Sequence, residues 1–270
     1  MKLFITLILL TLSLYANQRV VSLSPSITEI LFALNAGDEV VATSSYSLYP
    51  PKAKTLPIVG NYSNPNIEKI LSHRPTLVVG QTFNSNTLEK LKHFKIKTLT
   101  LQLRTINEIK NSITKLAIAI NRPKNAAKLL QNITNAAKNA AISKDTHSVM
   151  IVYGLKEDLS SGIYIAGNEI FFNDIIKLCH NTNAYTDDAT SQPVLNYENI
   201  IALNPDQIII LHSHATEPNV DVNAALKNWY DLPTNASKNG TISIVDEDYL
   251  HIPSQRVALT IERLSREMNN

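Results

Sequence analysis

Apolar residues along the chain follow two alternating patterns, short continuous runs rich in β-branched residues and longer stretches with apolar residues three and four apart. The first pattern is typical of buried strands and the second of amphipathic helices. RVVSLS at 19–24 and PSITEILFALNAG at 25–37 form the first such pair, and DEVVATS at 38–44 predicts the next strand. The alternation continues to the end of the chain and predicts an α/β fold with parallel sheets.

One phrase of this pattern occurs twice. NIEKILSHRPTLVVG at 66–80 and YENIIALNPDQIII at 197–210 each place a Glu two residues before an Ile and seven before a Pro, followed by a strand-like run. The two copies predict the same helix-to-strand turn in two similar lobes. Between the copies lies a stretch rich in Ala, Lys, Leu and Asn that predicts one long helix starting at Pro123.

These patterns divide the chain into four parts. We predict a signal peptide at 1–16, an amino-terminal lobe at 17–122, a connecting helix at 123–143 and a carboxyl-terminal lobe at 144–270. The leader has Lys2, then an apolar run, then Ala16 at the expected cleavage point. A membrane anchor is the alternative, but polar residues follow before the roughly 20 apolar positions that a span requires.

Composition excludes several function classes. A net charge of +2, without a basic stripe, argues against nucleic-acid binding. The single cysteine, Cys179, can form no internal disulfide, lies far from the leader where a lipid would be attached, and sits on an apolar helical face. We therefore expect a soluble, unlipidated protein in a Gram-negative periplasm. The sequence has only 7 glycines and no nucleophile elbow, P-loop or dinucleotide-binding motif, so catalysis has little support.

A two-lobed α/β chain is expected to bind a ligand between its lobes, near the carboxyl ends of its strands. Polar and aromatic residues that follow predicted strands are therefore the candidates. They are Ser24, Pro25, Ser44, Tyr46, Tyr49, Tyr62, Gln81, Tyr153, Gln192, His212, His214 and His251. His212 and His214 alternate along an extended segment, and with His251 they are candidates to share a metal ion, although no acidic partner at a diagnostic spacing completes a site.

Glu68 and Glu198 need a separate explanation. Each is expected on the outer face of a short helix, in its first turn, where an acid complements the helix dipole by about 0.3–1 kcal/mol. The helix dipole is a sufficient reason for one such acid, but it explains less well why both lobes carry an acid at the same place. We further interpret the two acids as a binding site for a symmetric partner with two basic pockets.

The chain resembles the cobalamin- and iron-chelate-binding periplasmic proteins of ABC importers. RVVSLSPSITEILFALNAGDEVVATS and YPPKAKTLPIVGNYSNPNIEKILSHRPTLVVG resemble the amino lobe of that family, and IYIAGNEIFFNDIIKLCHNTNAY and DYLHIPSQR the carboxyl lobe. The resemblance implies two Rossmann-like lobes joined by one long backbone helix. It also implies that Glu68 and Glu198 dock on arginines of the two permease subunits.

The resemblance points to a metal chelate as ligand without selecting one. Tyr62 matches an aromatic platform of the cobalamin binder, Gln192 stands where an aromatic residue would favour a corrin, and His251 matches a position used by siderophore binders. Arg256 is expected either to contact a ligand carboxylate or to cap the last helix. Haem is a third candidate, since Tyr46, Tyr49 or Tyr62 offers an axial oxygen.

The sequence departs from the family pattern in three loops, with Asn35 and the pair His180–Asn181 where Gly is usual and Thr76 where Asp is usual. From these features we expect a monomeric binding protein without an intrinsic cofactor that delivers cobalamin or a ferric siderophore to an ABC importer. Transport of haem or a free metal ion, and a metal-dependent periplasmic enzyme using the three histidines, are the alternatives.

Overall fold

The computed structural model describes residues 18–160, 162–187, 190–213 and 220–269, so the predicted signal peptide lies outside the described residues. The chain forms two compact units. The first comprises residues up to Gln102 together with Ser112–Ala127, and the second comprises Leu103–Asn111 together with residues from Lys128 onward. Within the described ranges, no helix is both long enough and apolar enough to cross a membrane.

The first unit is built on a sheet of four parallel strands. Its strands are β1 Val20–Ser22, β2 Val40–Ala42, β3 Leu77–Gln81 and β4 Lys97–Leu101, in the order β2-β1-β3-β4. Its helices are α1 Pro25–Ala33, α2 Ile67–Ser72 and α3 Ser85–His93, with short 3₁₀ turns at Gly37–Glu39, Pro51–Thr55 and Thr82–Asn84. Except for Gln81, every residue of β1 and β3 is buried, as strands covered on both faces require.

Two longer helices follow, α4 Ile106–Ala119 and α5 Pro123–Lys138, and each has residues in both units. The connecting helix was predicted to reach residue 143, but α5 ends at Lys138. Ser143 takes other partners: its N–H donates to the carbonyl of Cys179 at 3.1 Å, and its hydroxyl accepts from Asn181 at 2.9 Å. These bonds belong to the second unit and replace the continued helix.

The second unit has a larger, mixed sheet. Its strands are β5 Ser148–Tyr153, β6 Ile163–Ile165, β7 Thr182–Asn183, β8 Val194–Leu195, β9 Gln207–His212 and β10 Ile242–Asp246. Strands β10, β9, β5 and β7 are parallel, whereas β6 and β8 extend the sheet as antiparallel strands that the sequence did not predict. The helices are α6 Phe171–Leu178, α7 Tyr197–Leu203, α8 Val222–Tyr230, α9 Asn235–Asn239 and α10 Val257–Glu267.

The repeated phrase occupies the same place in both sheets. In each unit a short helix, α2 or α7, leads into a strand that begins nine residues after the Glu. That strand lies between two parallel neighbours, β1 and β4 around β3, and β5 and β10 around β9. The prediction of two similar α/β lobes is confirmed.

Each unit has its own apolar core. In the first unit, residues of β1, β3 and α3 bury side chains such as Val21, Val78 and Leu91 together. In the second unit, β5 and β9 pack with α8, whose Trp229 is 1% exposed. The one tryptophan of the chain is therefore a reporter of the second unit alone.

Candidate functional site

Exposed aromatic side chains collect at the carboxyl edge of the first unit's sheet. Tyr46 and Tyr49 follow β2, Tyr62 lies in the loop before α2, and Phe83 lies in the turn after β3. All four are exposed, and we call them the aromatic edge. Soluble proteins seldom leave such large apolar groups in water at one place without a binding role.

The loops that carry the aromatic edge are held together by backbone bonds. Thr43 extends β2 and forms a parallel bridge with Ile58. The Ser45 N–H then donates to the carbonyl of Gly60 at 2.9 Å. The Tyr46 loop and the Tyr62 loop are therefore neighbours on the same edge.

Buried hydroxyl groups support the Tyr46 loop from behind. The Oγ1 atoms of Thr28 and Thr43 lie 2.6 Å apart, and Thr43 Oγ1 donates to Ser47 Oγ at 2.8 Å. All three residues are buried, whereas Tyr46 is 66% exposed and has a φ of 64°. Left-handed backbone is uncommon for a large residue and needs surrounding structure that fixes it, which this network supplies.

Tyr62 and Phe83 form an aromatic pair. Their ring centroids lie 5.8 Å apart at an interplanar angle of 80°, an edge-to-face geometry. Buried Asn84 ties them, because its Oδ1 accepts from the N–H of Gln81 at 2.9 Å and its Nδ2 donates to the carbonyl of Tyr62 at 2.7 Å. Sequence reasoning found Tyr62 but missed Phe83 and Asn84. An aromatic residue in a polar turn directly after a buried strand was the available signal.

At the carboxyl edge of the second unit's sheet, Tyr153 is the centre of a ring cluster. Its ring centroid lies 5.6 Å from that of Phe172 and 5.7 Å from that of His251. The Tyr153 hydroxyl is buried and has no well-formed hydrogen bond to any described residue, although Gln192 lies beside it. Burial raises the pKa of this phenol well above its usual value, and the nearby Gln192 opposes the shift. The cluster thus holds a neutral donor without a firm partner.

The three histidines differ in what the structure says of them. His212 ends β9 and is buried, His251 is half-buried in the ring cluster, and His214 lies outside the described residues. In the part of the chain that the structure describes, no three His, Cys, Asp or Glu side chains come together as a metal-binding group. The three-histidine site stays a prediction.

Arg256 is buried at the start of α10. Its guanidinium donates to Asp248 Oδ1 at 2.9 Å and lies 5.7 Å from the ring centroid of Tyr249. It also lines a pocket of about 430 Å³ between α10 and the second-unit part of α5. Arg256 is the residue just before α10, but its side chain makes no capping hydrogen bond to that helix. The ion pair ties Arg256 to Asp248, and contact with a ligand stays a prediction.

Glu68 and Glu198 occupy the same position of two short helices. Asn66 and Asn196 cap these helices, each with an Oδ1 that accepts a backbone N–H three residues on, at 2.9 Å and 2.8 Å. Each Glu is the second residue after its cap. Both acids are exposed, and neither forms an ion pair or a side-chain hydrogen bond with any residue that the structure describes. Within the described ranges, the helix dipole is therefore the one evident structural use of these carboxylates.

The sequence and the fold match one class of proteins. The model of the family described as periplasmic binding protein matches residues 20–249, and the chain belongs to that family.

Among its relatives is the uncharacterized ABC transporter substrate-binding lipoprotein YvrC of Bacillus subtilis, 30% identical over 93% of this chain and 80% of YvrC. A vitamin B12-binding protein of Vibrio cholerae is 27% identical over 96% of this chain and 93% of its own length. The periplasmic heme-binding protein HutB of Vibrio cholerae superposes with a TM-score of 0.79 at 21% identity, over 94% of this chain and all of HutB. This last likeness concerns the fold.

Proposed function

We propose that this protein is an exported substrate-binding protein that captures a metal chelate and delivers it to an inner-membrane ABC importer. Membership of the periplasmic binding protein family supports capture and delivery. Relatives named as vitamin B12-binding proteins make cobalamin the first candidate, a ferric siderophore is the second, and haem is the third. Residues 1–16 are proposed as a cleavable signal peptide, which the mass of protein from a periplasmic extract would test.

The aromatic edge is the observation that supports a metal chelate as the ligand. The face of a corrin or porphyrin ring offers a large apolar surface, and exposed aromatic side chains gain by stacking on it. A free transition-metal ion stays an alternative ligand, since His214, one of its three candidate ligands, lies outside the described residues.

Calorimetric titration of the mature protein with cyanocobalamin, haemin and a ferric hydroxamate tests this proposal. We expect submicromolar binding of one of them, and no affinity for any would refute the chelate. The Tyr46→Ala/Tyr62→Ala variant should bind at least about tenfold more weakly, since it removes two stacking surfaces. Phe94→Ala is the matched control, because Phe94 is equally exposed in the same unit but lies outside the aromatic edge.

We further propose that Glu68 and Glu198 dock on arginines of the two permease subunits. Two exposed carboxylates at one position of two similar helices suit a partner with two matching cationic sockets, where charge-assisted bonds to arginine are strong. Their freedom from partners within the described structure supports this role. Neither carboxylate must break an existing bond to dock.

Uptake of the bound chelate by cells that carry Glu68→Lys and Glu198→Lys together tests docking. We expect uptake to be lost while calorimetric affinity stays within about twofold of the wild type. Glu89→Lys is the control, since Glu89 is also an exposed helical acid of the first unit. Normal uptake by the double variant would rule out docking through these acids, and lost affinity would assign them to the ligand site.

A further inference from the structure

Asn84 connects three features of the first unit that are otherwise separate. Its Oδ1 accepts the N–H of Gln81, the last residue of β3, and its Nδ2 donates to the carbonyl of Tyr62. Asn84 also ends the 3₁₀ turn that contains Phe83. One buried side chain, 2% exposed, thus joins the strand end to both members of the aromatic pair.

The sequence around β3 makes room for this side chain. A Cβ atom on Gly80 would lie 3.0 Å from Asn84 Oδ1 and 3.1 Å from Asn84 Cβ, so even an alanine there would require Asn84 to shift slightly. The glycine is not needed for its backbone conformation, since its φ is not in the left-handed region. Its role is therefore to admit Asn84 against the strand.

The Tyr62 loop has little else to fix its tip. Gly60 and Pro65 close its base by a backbone bridge, and Asn61 Oδ1 accepts from the N–H groups of Ser63 and Asn64 inside the loop. These contacts shape the loop but do not attach Tyr62 to the sheet. The bond from Asn84 does, over 22 residues of sequence.

We propose that Asn84 is a positioning residue that holds Tyr62 and Phe83 as a preformed wall for the flat face of the chelate, and that Phe83 contacts the ligand. This inference rests on the proposed function. Tyr62 and Phe83 are 49% and 52% exposed, so each ring presents about half of its surface to a ligand. The edge-to-face contact between the two rings restrains both. A wall fixed before binding loses less side-chain freedom when the ligand arrives, and this raises affinity.

The test measures dissociation constants for cyanocobalamin and haemin by calorimetry. Phe83→Ala and Asn84→Ala should each weaken binding about tenfold, while the control Phe94→Ala leaves it unchanged. Asn84→Asp keeps the acceptor for Gln81 but loses the donor to Tyr62, so it should weaken binding as Asn84→Ala does. Wild-type affinity of Asn84→Asp would overturn the positioning role.

Adding Asn84→Ala to a double variant separates a positioning role of Asn84 from general destabilisation of the fold. In a protein that already carries Tyr62→Ala and Phe83→Ala, adding Asn84→Ala should change affinity by less than about twofold, because no wall is left to position. A full tenfold further loss would show that Asn84 acts on the fold instead.

If the wild type binds neither probe, cobalamin and haem fail as ligands, but the positioning role can still be judged. A crystal structure of Asn84→Ala without ligand should then show the Tyr62 and Phe83 rings separated from the 5.8 Å pair. An unchanged pair would overturn the inference.

Discussion

Replacing Asp206 with Ala is expected to destabilise the second unit by about 2–3 kcal/mol. Asp206 follows the Pro of the second repeated phrase and joins the starts of β9 and β5. Its Oδ2 accepts from the N–H and the hydroxyl of Ser148 at 3.0 Å and 2.9 Å, and its Oδ1 accepts from Asn235 Nδ2 at 2.9 Å. Hydrogen bonds to a charged acceptor each contribute about 1.5–3 kcal/mol when buried, and partial exposure of this carboxylate reduces that value.

Urea unfolding followed by Trp229 fluorescence measures this loss, because the tryptophan is buried in the core of the same unit. A loss of about 2–3 kcal/mol corresponds to a midpoint shift on the order of 1 M urea. Asp206→Thr should recover about half of it, since a hydroxyl can still accept the Ser148 N–H. Asp231→Ala is the control, because Asp231 lies in the same unit and its exposed carboxylate forms a surface ion pair with Lys227. Equal midpoints for Asp206→Ala and Asp231→Ala would refute the reasoning.

The same network predicts a dependence on pH. Bonds from the Ser148 backbone and from Asn235 hold the pKa of the Asp206 carboxyl below its usual value of 3.8, against a smaller opposing effect of burial. A carboxyl whose folded pKa lies below the unfolded one stabilises the protein above the unfolded pKa, and this contribution is lost as pH falls through the folded pKa. Asp206→Asn should therefore show a smaller decline in stability than the wild type below about pH 4.

Three further outcomes follow from local geometry. Burial raises the pKa of the Cys179 thiol to about 11, so Ellman's reagent should modify the native protein at least about 100-fold more slowly than the urea-unfolded chain; equal rates would contradict its burial. Gly60 has a φ of 130°, and a Cβ atom added to it would lie 2.8 Å from a carbonyl oxygen. Gly240 has a φ of 71°, but a Cβ atom added there would have no described atom beyond its chain neighbours within 4 Å. Gly60→Ala should therefore lower thermal stability more than Gly240→Ala. Asn66→Ala and Asn196→Ala should each cost about 1 kcal/mol in urea unfolding, and no change would show that these caps are dispensable.

The parallel strands and their flanking helices could be predicted because each leaves a local signal. A strand buried on both faces is a continuous β-branched run, as in β9, and a cap followed by apolar spacing marks a helix, as in α7. Strands β6 and β8 left none, because neither belongs to a β-branched run like those that marked the equally short β1 and β2. They exist because β6 pairs with the end of β5, and that pairing forms only in the folded unit.

The departures from the family pattern also have physical explanations. Asn35 and His180 stand where Gly is usual, and both adopt left-handed backbone, with φ of 61° and 60°. Asn is among the residues that tolerate this conformation best, and His is enriched there as well, so the turns can be kept without Gly. Asn84 was not predicted because its bond to the carbonyl of Tyr62, 22 residues away, leaves no signal in local spacing.

The two repeated phrases show which of their positions serve the fold. Asn66 and Asn196 both cap their helices, and Ile70 and Ile200 are both fully buried. The residue after the Pro is Thr76 in the first phrase and Asp206 in the second, and both accept a backbone N–H at the start of a neighbouring strand. Thr76 Oγ1 accepts the N–H of Arg19 just before β1 at 2.9 Å, as Asp206 does for the N–H that begins β5.

Where the fold needs only an acceptor, the two copies use different residues for the same bond. Glu68 and Glu198 show the opposite relation, because the same residue stands in both copies although neither carboxylate forms a hydrogen bond or an ion pair with a described residue. A helix dipole would be served as well by Asp or by an acid one position away. The same residue at the same position, without a hydrogen bond or ion pair to a described residue, is expected when a binding partner requires that residue. This pattern supports a partner that contacts both acids.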